Sequence, residues 1–321
     1  MNYFISDFFT REKKPVRGLL PIEWAMFLYM GFTFLMILLT YTKLVNPQSM
    51  LIGRVQIAII TMALWGVYRL LPCRFIKVIR SFVQMGLLVW WYPDTYELNR
   101  VLPNLDHLFA TWEQQLFGMQ PALAFAQHFS SPIISELMDM GYASYYPMVA
   151  AVPLFYLFFH RKEFQRSAFV LTASFFLFYA IYVLLPVVGP TFYFKSIGLE
   201  QAAQGVFPPM YDYFNFHQDC LPSPGYHEGF FYHLVEDAKA AGERPTAAFP
   251  SSHVGISTIC LLLIGHTKNR MLLYIMLPFY LFLCMATVYI QAHYAIDAFA
   301  GLITGVIFYY FLMYISRNMK G

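Results

Sequence analysis

Residues 271–315 read MLLYIMLPFYLFLCMATVYIQAHYAIDAFAGLITGVIFYYFLMYI and contain two long apolar runs separated by a short polar segment. A helix that crosses a bilayer needs about 20 mostly apolar residues, and each run has roughly that length. Between them lie His293 and Asp297, four residues apart, a spacing that places two side chains on one helix face. The stretch therefore predicts two membrane helices, with a histidine and a carboxylate where the second begins.

Six further apolar runs precede this pair, so the sequence predicts an all-α, polytopic membrane bundle of about eight helices. The chain is 59% hydrophobic and only 12% charged, whereas soluble domains carry roughly 25% charged residues. This composition excludes a soluble globular domain and a disordered chain, and a net charge of +3 argues against nucleic-acid binding. The predicted spans are 22–42, 52–71, 77–96, 136–159, 167–187, 251–267, 271–290 and 296–315.

The distribution of positive charge predicts the orientation. With eight helices in order, fifteen of the 21 Lys and Arg residues fall on the side of the N-terminus. Cytoplasmic loops carry such an excess, so both termini are expected in the cytoplasm of a multi-pass membrane protein. The polar motifs then lie on the outer face, which is periplasmic in a bacterium and lumenal in a eukaryote.

The chain is expected to divide into two parts. Residues 1–76 would hold a cytoplasmic N-terminus and two extra membrane helices, and residues 77–321 a six-helix catalytic core. Two long connections lie on the outer face of this core. The first contains an amphipathic pattern at about 104–118, which predicts a helix lying on the membrane interface. The second, about 188–250, is a loop rich in proline and aromatic residues, and loops of this length are usually functional or disordered.

The sixth apolar run opens with Phe-Pro-Ser-Ser-His at residues 249–253. Proline and serine are favourable at the start of a helix, where free N–H groups and a positive dipole end suit a phosphate. Ser251, Ser252 and His253 are therefore candidate phosphate-site residues. The structural alternative is an interfacial histidine that hydrogen-bonds to a neighbour.

Two further motifs lie at the predicted outer ends of helices. A carboxylate at Asp297 can hold one ring nitrogen of His293 and leave the other free as a nucleophile or base, although such a pair can also simply fix the helix end. Gly189-Pro190, after the fifth run, stops the helix and lets backbone approach a ligand, or is a plain helix terminator.

These motifs together resemble the signatures of the type-2 phosphatidic acid phosphatase superfamily. The Pro-Ser-Ser-His sequence ending at His253 is similar to its second signature, and the His-Tyr-Ala-Ile-Asp sequence from His293 to Asp297 is similar to its third. The resemblance covers about residues 77–315 and implies a six-helix core. It further implies that His293 attacks phosphorus, that Asp297 sets the tautomer of His293, and that His253 protonates the leaving oxygen.

Cations that this superfamily uses to clamp phosphate are absent. Its first signature is a Lys followed at a distance by Arg-Pro. Arg244-Pro245 could match the Arg-Pro, but Asp237 occupies the position of the Lys, so the signature has no counterpart here. Its third signature normally begins Ser-Arg, where this chain has Ala286 and Thr287. In these respects the chain is similar to the inositol-phosphorylceramide synthase branch. Arg244 and Lys195 are the candidate replacements at the phosphate, beside the two serines.

Two acidic residues complete the candidate site. Glu136 and Asp139, near the outer end of the fourth run, could accept hydrogen bonds from a polyol headgroup, or could lie on an exposed helix extension. No spacing of Cys and His is typical of a metal site, and we expect no metal and no other cofactor.

The resemblance implies a membrane-embedded lipid phosphotransferase that moves a phospho-headgroup, here phosphoinositol, from a phospholipid donor to a lipid alcohol such as ceramide. With water as the acceptor, the same site would be a phosphatase of lipid phosphates or isoprenoid (pyro)phosphates. A transporter is a third hypothesis, against which no inverted repeat is visible. A catalytically inactive scaffold is a fourth, against which the two histidines and the aspartate are all retained.

Overall fold

The computed structural model of the protein describes residues 8–319, and within that range it is helical and has no β-strand. Residues 1–7 and 320–321, at the ends of the two predicted parts, lie outside the described residues. The first helices in chain order are α1 (Pro21–Thr40), α2 (Pro47–Leu70), α3 (Arg74–Gly86), α4 (Leu88–Asn99), α5 (Asp106–Phe117), α6 (Pro121–His128), α7 (Pro132–Ala143) and α8 (Tyr145–Phe159). They are followed by α9 (Phe164–Leu184), α10 (Pro190–Ile197), α11 (Leu199–Ala203), α12 (Phe230–Gly242), α13 (Ser252–His266), α14 (Arg270–Tyr289) and α15 (Ala295–Ile315).

Five of the described helices are long and apolar enough to cross a membrane: α1, α2, α9, α14 and α15. Helices α7 and α8 would add a sixth span with a bend of 42° between them. These findings confirm an all-helical chain whose apolar helices fit a multi-pass membrane protein. The predicted count of eight and the six-helix core are not confirmed.

The difference in count comes from two predicted spans. The span 77–96 forms two helices, α3 and α4, which meet at Leu87, and neither is apolar enough over a sufficient length. Buried Arg80 and Gln84 make α3 polar on one side, and Pro93 removes a backbone donor inside α4. The span 251–267 is α13, which is apolar but only 15 residues long.

Helix α9 forms the centre of the bundle, and 78% of its apolar stretch is buried. Helices α1, α4, α8, α13 and α15 pack around it. Glycines allow α13 and α15 to approach closely. A Cβ on Gly301 would lie 2.3 Å from the carbonyl oxygen of Ser251, and one on Gly305 would lie 2.6 Å from that of Gly255. This small-residue contact aligns the starts of α13 and α15, and the two signature histidines lie in or just before these starts.

Two buried ion pairs join the N-terminal helices to the rest of the bundle. Arg54 of α2 donates to both carboxylate oxygens of Asp94 in α4, at 3.1 and 2.6 Å. Arg80 of α3 donates to Glu23 of α1, at 2.8 and 2.5 Å. Each side chain is at most 5% exposed. Both pairs cross the predicted boundary at residue 76, so the two predicted parts pack as one bundle.

Helix α5 lies within the predicted amphipathic stretch 104–118, but its polar face points into the protein. Asp106 and Glu113 are fully buried, whereas Trp112 is 51% and Leu116 is 67% exposed. An apolar face turned outward is typical of a helix that lies against a bilayer. The two carboxylates of α5 therefore face the ends of the bundle helices. The predicted loop 188–250 contains α10, α11 and α12.

Candidate active site

His253 and His293 lie side by side where α13 and α15 begin. His253 is in the first turn of α13, and His293 is in the short connection between α14 and α15. His293 Nε2 is 3.4 Å from His253 Nδ1, and the ring centroids are 5.6 Å apart. Two imidazoles at this separation can exchange a proton, and both can reach one reacting group.

The backbone carbonyl of Ala248 fixes the orientation of His293. His293 Nδ1 is 2.8 Å from the Ala248 oxygen, whereas Asp297 Oδ2 is 3.7 Å from the same nitrogen, beyond hydrogen-bond distance. Because a carbonyl can only accept, Nδ1 carries the proton and Nε2 keeps its lone pair. His253 Nδ1 then donates to His293 Nε2. The tautomer that we expected Asp297 to set is thus set by Ala248.

Asp297 instead caps the helix that carries it. Its Oδ2 accepts the N–H of Tyr294 at 2.9 Å, and its backbone oxygen accepts the N–H of Ser251 at 3.0 Å. Its Oδ1 is buried and has no hydrogen-bond partner in the described part of the chain. The carboxylate of Asp297 holds the start of α15 in place, and its backbone oxygen ties this helix start to that of α13.

Burial sets the charge of His293. The side chain of His293 is 5% exposed, and burial lowers its pKa from 6.5 to about 4, against smaller opposing effects of the Ala248 carbonyl and the nearby Glu243 carboxylate. His293 is therefore neutral at pH 7. A neutral imidazole with an unprotonated Nε2 is the form that can act as a nucleophile.

Two tyrosine rings contact the imidazole of His253. The ring of Tyr142 stacks on it with centroids 4.7 Å apart, and the ring of Tyr145 lies 4.4 Å away. Both tyrosines come from the bend between α7 and α8. These contacts pack the imidazole of His253, whose Nδ1 faces His293.

The start of α13 has fewer free donors than the sequence suggested. The N–H of Ser252 donates to the hydroxyl of Tyr182 at 3.0 Å, and that hydroxyl donates to the carbonyl of Pro250 at 2.9 Å. The hydroxyl of Ser251 accepts the N–H of Val254 at 3.4 Å. Ser251 is thus an N-cap and Ser252 is held by Tyr182, so two of the donors that we expected at a phosphate already have partners.

Gly189 lies against the backbone that precedes His293. Gly189 has φ +88°, and a Cβ there would lie 2.5 Å from the carbonyl oxygen of Ala292, the residue before His293. The N–H of Gly189 donates to Asp106 at 2.9 Å, and Pro190 begins α10. Only glycine can occupy this position without strain, because φ is positive and the neighbouring backbone is in contact.

Four predicted site residues have other places in the structure. Lys195 is exposed in the last turn of α10, and Arg244 is exposed with a 3.4 Å contact to the neighbouring carbonyl of Glu243. Glu136 accepts the N–H groups of Phe231 and Tyr232 and so caps α12. Asp139 is fully buried in α7 with neither carboxylate oxygen hydrogen-bonded in the described structure. The structure therefore gives none of the four a contact with either histidine.

The sequence analysis missed three residues that shape the site. Ala248 acts through its carbonyl, which no side-chain pattern reveals. Tyr182 lies in the middle of an apolar run and looks like a core residue. Asp106 had a visible signal, since a carboxylate on the polar face of a short amphipathic helix can point into the protein as readily as into water. Within residues 8–319, no group of three or more His, Cys, Asp or Glu side chains could hold a metal ion.

The family model of the PAP2 superfamily matches residues 107–311, a range that contains both histidines, Asp297 and all but the first residue of α5. The chain therefore belongs to the PAP2 superfamily. Membership indicates a phosphatase or phosphotransferase. Neither the curated proteins nor the solved structures compared with the chain include a match.

Proposed function

We propose that the protein is a membrane phosphotransferase that moves a phospho-headgroup from a phospholipid to a lipid alcohol through a phosphohistidine on His293. The donor that we propose is an inositol phospholipid and the acceptor is ceramide, as in the branch that the sequence resembles. The observation that supports this most is the pair of ring nitrogens, His293 Nε2 and His253 Nδ1, 3.4 Å apart. The site would face the outer side of the membrane.

In the first step, the hydrogen bond from His253 Nδ1 to His293 Nε2 breaks. The freed lone pair of Nε2 attacks phosphorus and forms a P–N bond, while the P–O bond to the lipid alkoxide breaks. A bound phosphate anion favours the protonated form of the adjacent His253. His253 then gives the Nδ1 proton to the leaving oxygen, which departs as an alcohol. The Ala248 carbonyl stabilises the positive charge that develops on the His293 ring, through the Nδ1–H bond.

In the second step, neutral His253 takes the proton from the acceptor hydroxyl, whose oxygen attacks phosphorus. The P–N bond breaks, and His293 returns to its neutral form. Because the exposed Arg244 and Lys195 have no hydrogen bond to either histidine, we assign the charge stabilisation at phosphorus to the imidazole of His253.

Hydrolysis is the second candidate function. His253 is partly exposed, so water can reach the base that would activate the acceptor. With water as acceptor, the same two steps release the phospho-headgroup and leave a diacylglycerol. Phosphatidate and isoprenoid phosphates would then be the substrates to test.

The experiment is to reconstitute the protein in liposomes with phosphatidylinositol radiolabelled at phosphorus, with and without ceramide. Label that moves to ceramide in the wild type but not in His293→Ala would support the transferase. Label released only into water would support the phosphatase. Absence of turnover with phosphatidylinositol, phosphatidate and isoprenoid phosphates would contradict both functions. Activity in the presence of EDTA is expected, since the proposed steps use side chains alone.

A further inference from the structure

The buried carboxylate of Asp106, the first residue of α5, joins three segments that meet at the histidines. Oδ1 accepts the N–H of Gly189 at 2.9 Å and the hydroxyl of Tyr294 at 3.0 Å. Oδ2 accepts the N–H of Val188 at 2.7 Å and the side-chain amide of Asn104 at 2.6 Å. Asp106 is fully buried, so all four donors meet it without competition from water.

A short chain of hydrogen bonds leads from these contacts to the reacting ring. Asp106 holds the N–H groups of Val188 and Gly189, and the carbonyl of Val187, one residue earlier, accepts the N–H of Ala248 at 3.0 Å. The carbonyl of Ala248 accepts the Nδ1 proton of His293. On the other side, Tyr294 is the residue that follows His293. Asp106 thus fixes both the carbonyl that orients the imidazole and the backbone that carries it.

We propose that Asp106 is a positioning residue for the reaction at His293, and that α5 is for this reason part of the catalytic machinery and more than a membrane-surface helix. The inference rests on the proposed function, because it assigns Asp106 a role in presenting the His293 nucleophile.

The chemistry of the contacts requires a carboxylate. Each oxygen of Asp106 accepts from two donors, and an ionised carboxylate is the side chain that offers only acceptors on both sides. Asparagine has almost the same shape, but whichever way its amide turns, the NH₂ group would face two donors. Asp106→Asn therefore breaks at least one contact, because the N–H of Gly189 or of Val188 can only donate, and it introduces a repulsion while it preserves the size of the side chain.

A second carboxylate of α5 supports the same assignment. Glu113 Oε2 accepts the N–H of Ile296, in the first turn of α15, at 3.1 Å. Asp106 and Glu113 thus hold Tyr294 and Ile296, on either side of Ala295. The helix contacts the start of α15 at two points that lie between His293 and Asp297.

The test compares Asp106→Asn with Asp219→Asn, a matched change at an exposed aspartate, using phosphatidylinositol as the donor in liposomes. We expect kcat of Asp106→Asn to fall by about 100-fold, because small misplacements of a reacting group have effects of this size. KM should change much less, since Asp106 does not touch the substrate. Wild-type kcat in Asp106→Asn would overturn the proposal.

Solid-state ¹⁵N NMR of labelled histidine supplies a readout that does not need activity. The His293 signal, assigned by its loss in His293→Gln, should show the Nδ1-protonated tautomer in the wild type and an increased share of the Nε2-protonated tautomer in Asp106→Asn. An unchanged tautomer would overturn the proposal. If the wild type turns over no lipid phosphoester, the proposed function fails, and this spectrum alone decides the role of Asp106.

Tyr294→Phe covers the case in which Asp106→Asn does not fold. This variant removes one donor to Asp106 and keeps the aromatic ring in its packed position. We expect a smaller fall in kcat and a smaller tautomer change than for Asp106→Asn. If kcat and the tautomer of Tyr294→Phe both match the wild type, the Asp106–Tyr294 contact does not position His293, and this result overturns the proposal.

Discussion

At the scale of single residues, the position of one carbonyl oxygen decides which nitrogen of His293 can react. The 2.8 Å contact with Ala248 keeps the proton on Nδ1, and the 3.7 Å separation from Asp297 leaves that carboxylate to cap α15. The spacing of His293 and Asp297 in the sequence correctly places both groups at one helix start. It could not show that backbone from a distant segment, residue 248, comes closer to the ring than the carboxylate does.

The lowered pKa of His293 predicts an unusual pH profile. Above about pH 4 the His293 imidazolium loses its Nε2 proton and becomes neutral. The nucleophile is therefore in its reactive form well below the ordinary histidine pKa of 6.5. With phosphatidylinositol, whose phosphodiester does not titrate in this range, kcat/KM should keep its acid limb near pH 4. The measurement is kcat/KM against pH in liposomes. An acid limb near 6.5 would mean that His293 is not buried as described.

Gly189→Ala should damage the site more than the same change at Gly198. Both glycines have nearly the same positive φ, +88° and +89°, so each substitution costs roughly 1–2 kcal/mol of backbone strain. Only at Gly189 would the new Cβ lie 2.5 Å from backbone, the Ala292 carbonyl, whereas nothing lies within 4 Å at Gly198. We expect turnover to fall sharply in Gly189→Ala and to change little in Gly198→Ala. Equal activities would contradict the close approach of residue 189 to the His293 segment.

At the scale of elements, α5 is where the sequence and the structure differ most instructively. Its pattern of apolar and polar residues predicts an amphipathic helix, and the structure has one at Asp106–Phe117. The pattern alone does not show which face meets the protein, because in a membrane protein apolar residues can face lipid. The buried carboxylates Asp106 and Glu113 show that the polar face packs on the bundle.

Glu113→Gln should change how stability depends on pH. Burial raises the pKa of Glu113 to about 8, although the N–H of Ile296 partly opposes this effect. In the folded protein Glu113 keeps its proton up to about pH 8, whereas in the unfolded chain it loses the proton near pH 4.5. Glu113 therefore makes the free energy of unfolding fall as pH rises from about 4.5 to about 8. Glutamine stays neutral and keeps an acceptor for Ile296.

The measurement is the apparent melting temperature in detergent at about pH 5 and about pH 9, on either side of this window. We expect Glu113→Gln to melt above the wild type at the higher pH and to lose less stability between the two. Glu200→Gln, at an exposed position of α11, is the matched control and should follow the wild type. A variant that melts below the wild type at both values would mean that Glu113 is ionised in the folded protein.

At the scale of the whole molecule, buried charge pairs hold the first two helices to the remainder. The prediction of orientation counted every Lys and Arg, including Arg54 and Arg80, but both are buried in ion pairs inside the bundle. Their partners, Asp94 and Glu23, are distant in sequence. A count of charges by loop cannot distinguish a buried arginine near a helix end from one that faces the cytoplasm.

The Arg54–Asp94 pair provides a stability test for this attachment. Removal of one partner leaves an uncompensated buried charge, so Arg54→Met should cost about 3–5 kcal/mol and lower the melting temperature markedly. The double variant Arg54→Met, Asp94→Leu removes both charges and should recover most of the loss. Lys43→Met, at an exposed cation of the same region, should have little effect. A single variant that melts like the wild type would contradict the buried pair.

Much of the architecture follows from the length and composition of the apolar runs, because a bilayer fixes how long a spanning helix must be. The runs that became α1, α2, α9, α14 and α15 are of this kind. The run at 77–96 does not form a single spanning helix, because its polar side chains have partners within the bundle and the helix breaks at Leu87. The two histidines could be identified from motifs, whereas the partners that orient them come from segments with no local signal.

The most direct test of the account is to find phosphorus on His293. The wild-type protein is mixed with phosphatidylinositol labelled at phosphorus, quenched in alkali, and digested, and the peptide that contains residue 293 is isolated. We predict acid-labile label on His293, lost in His293→Asn and present in the matched variant Asp219→Asn. Turnover by the wild type with no label on this peptide, under conditions that trap the intermediate, would contradict nucleophilic attack by His293.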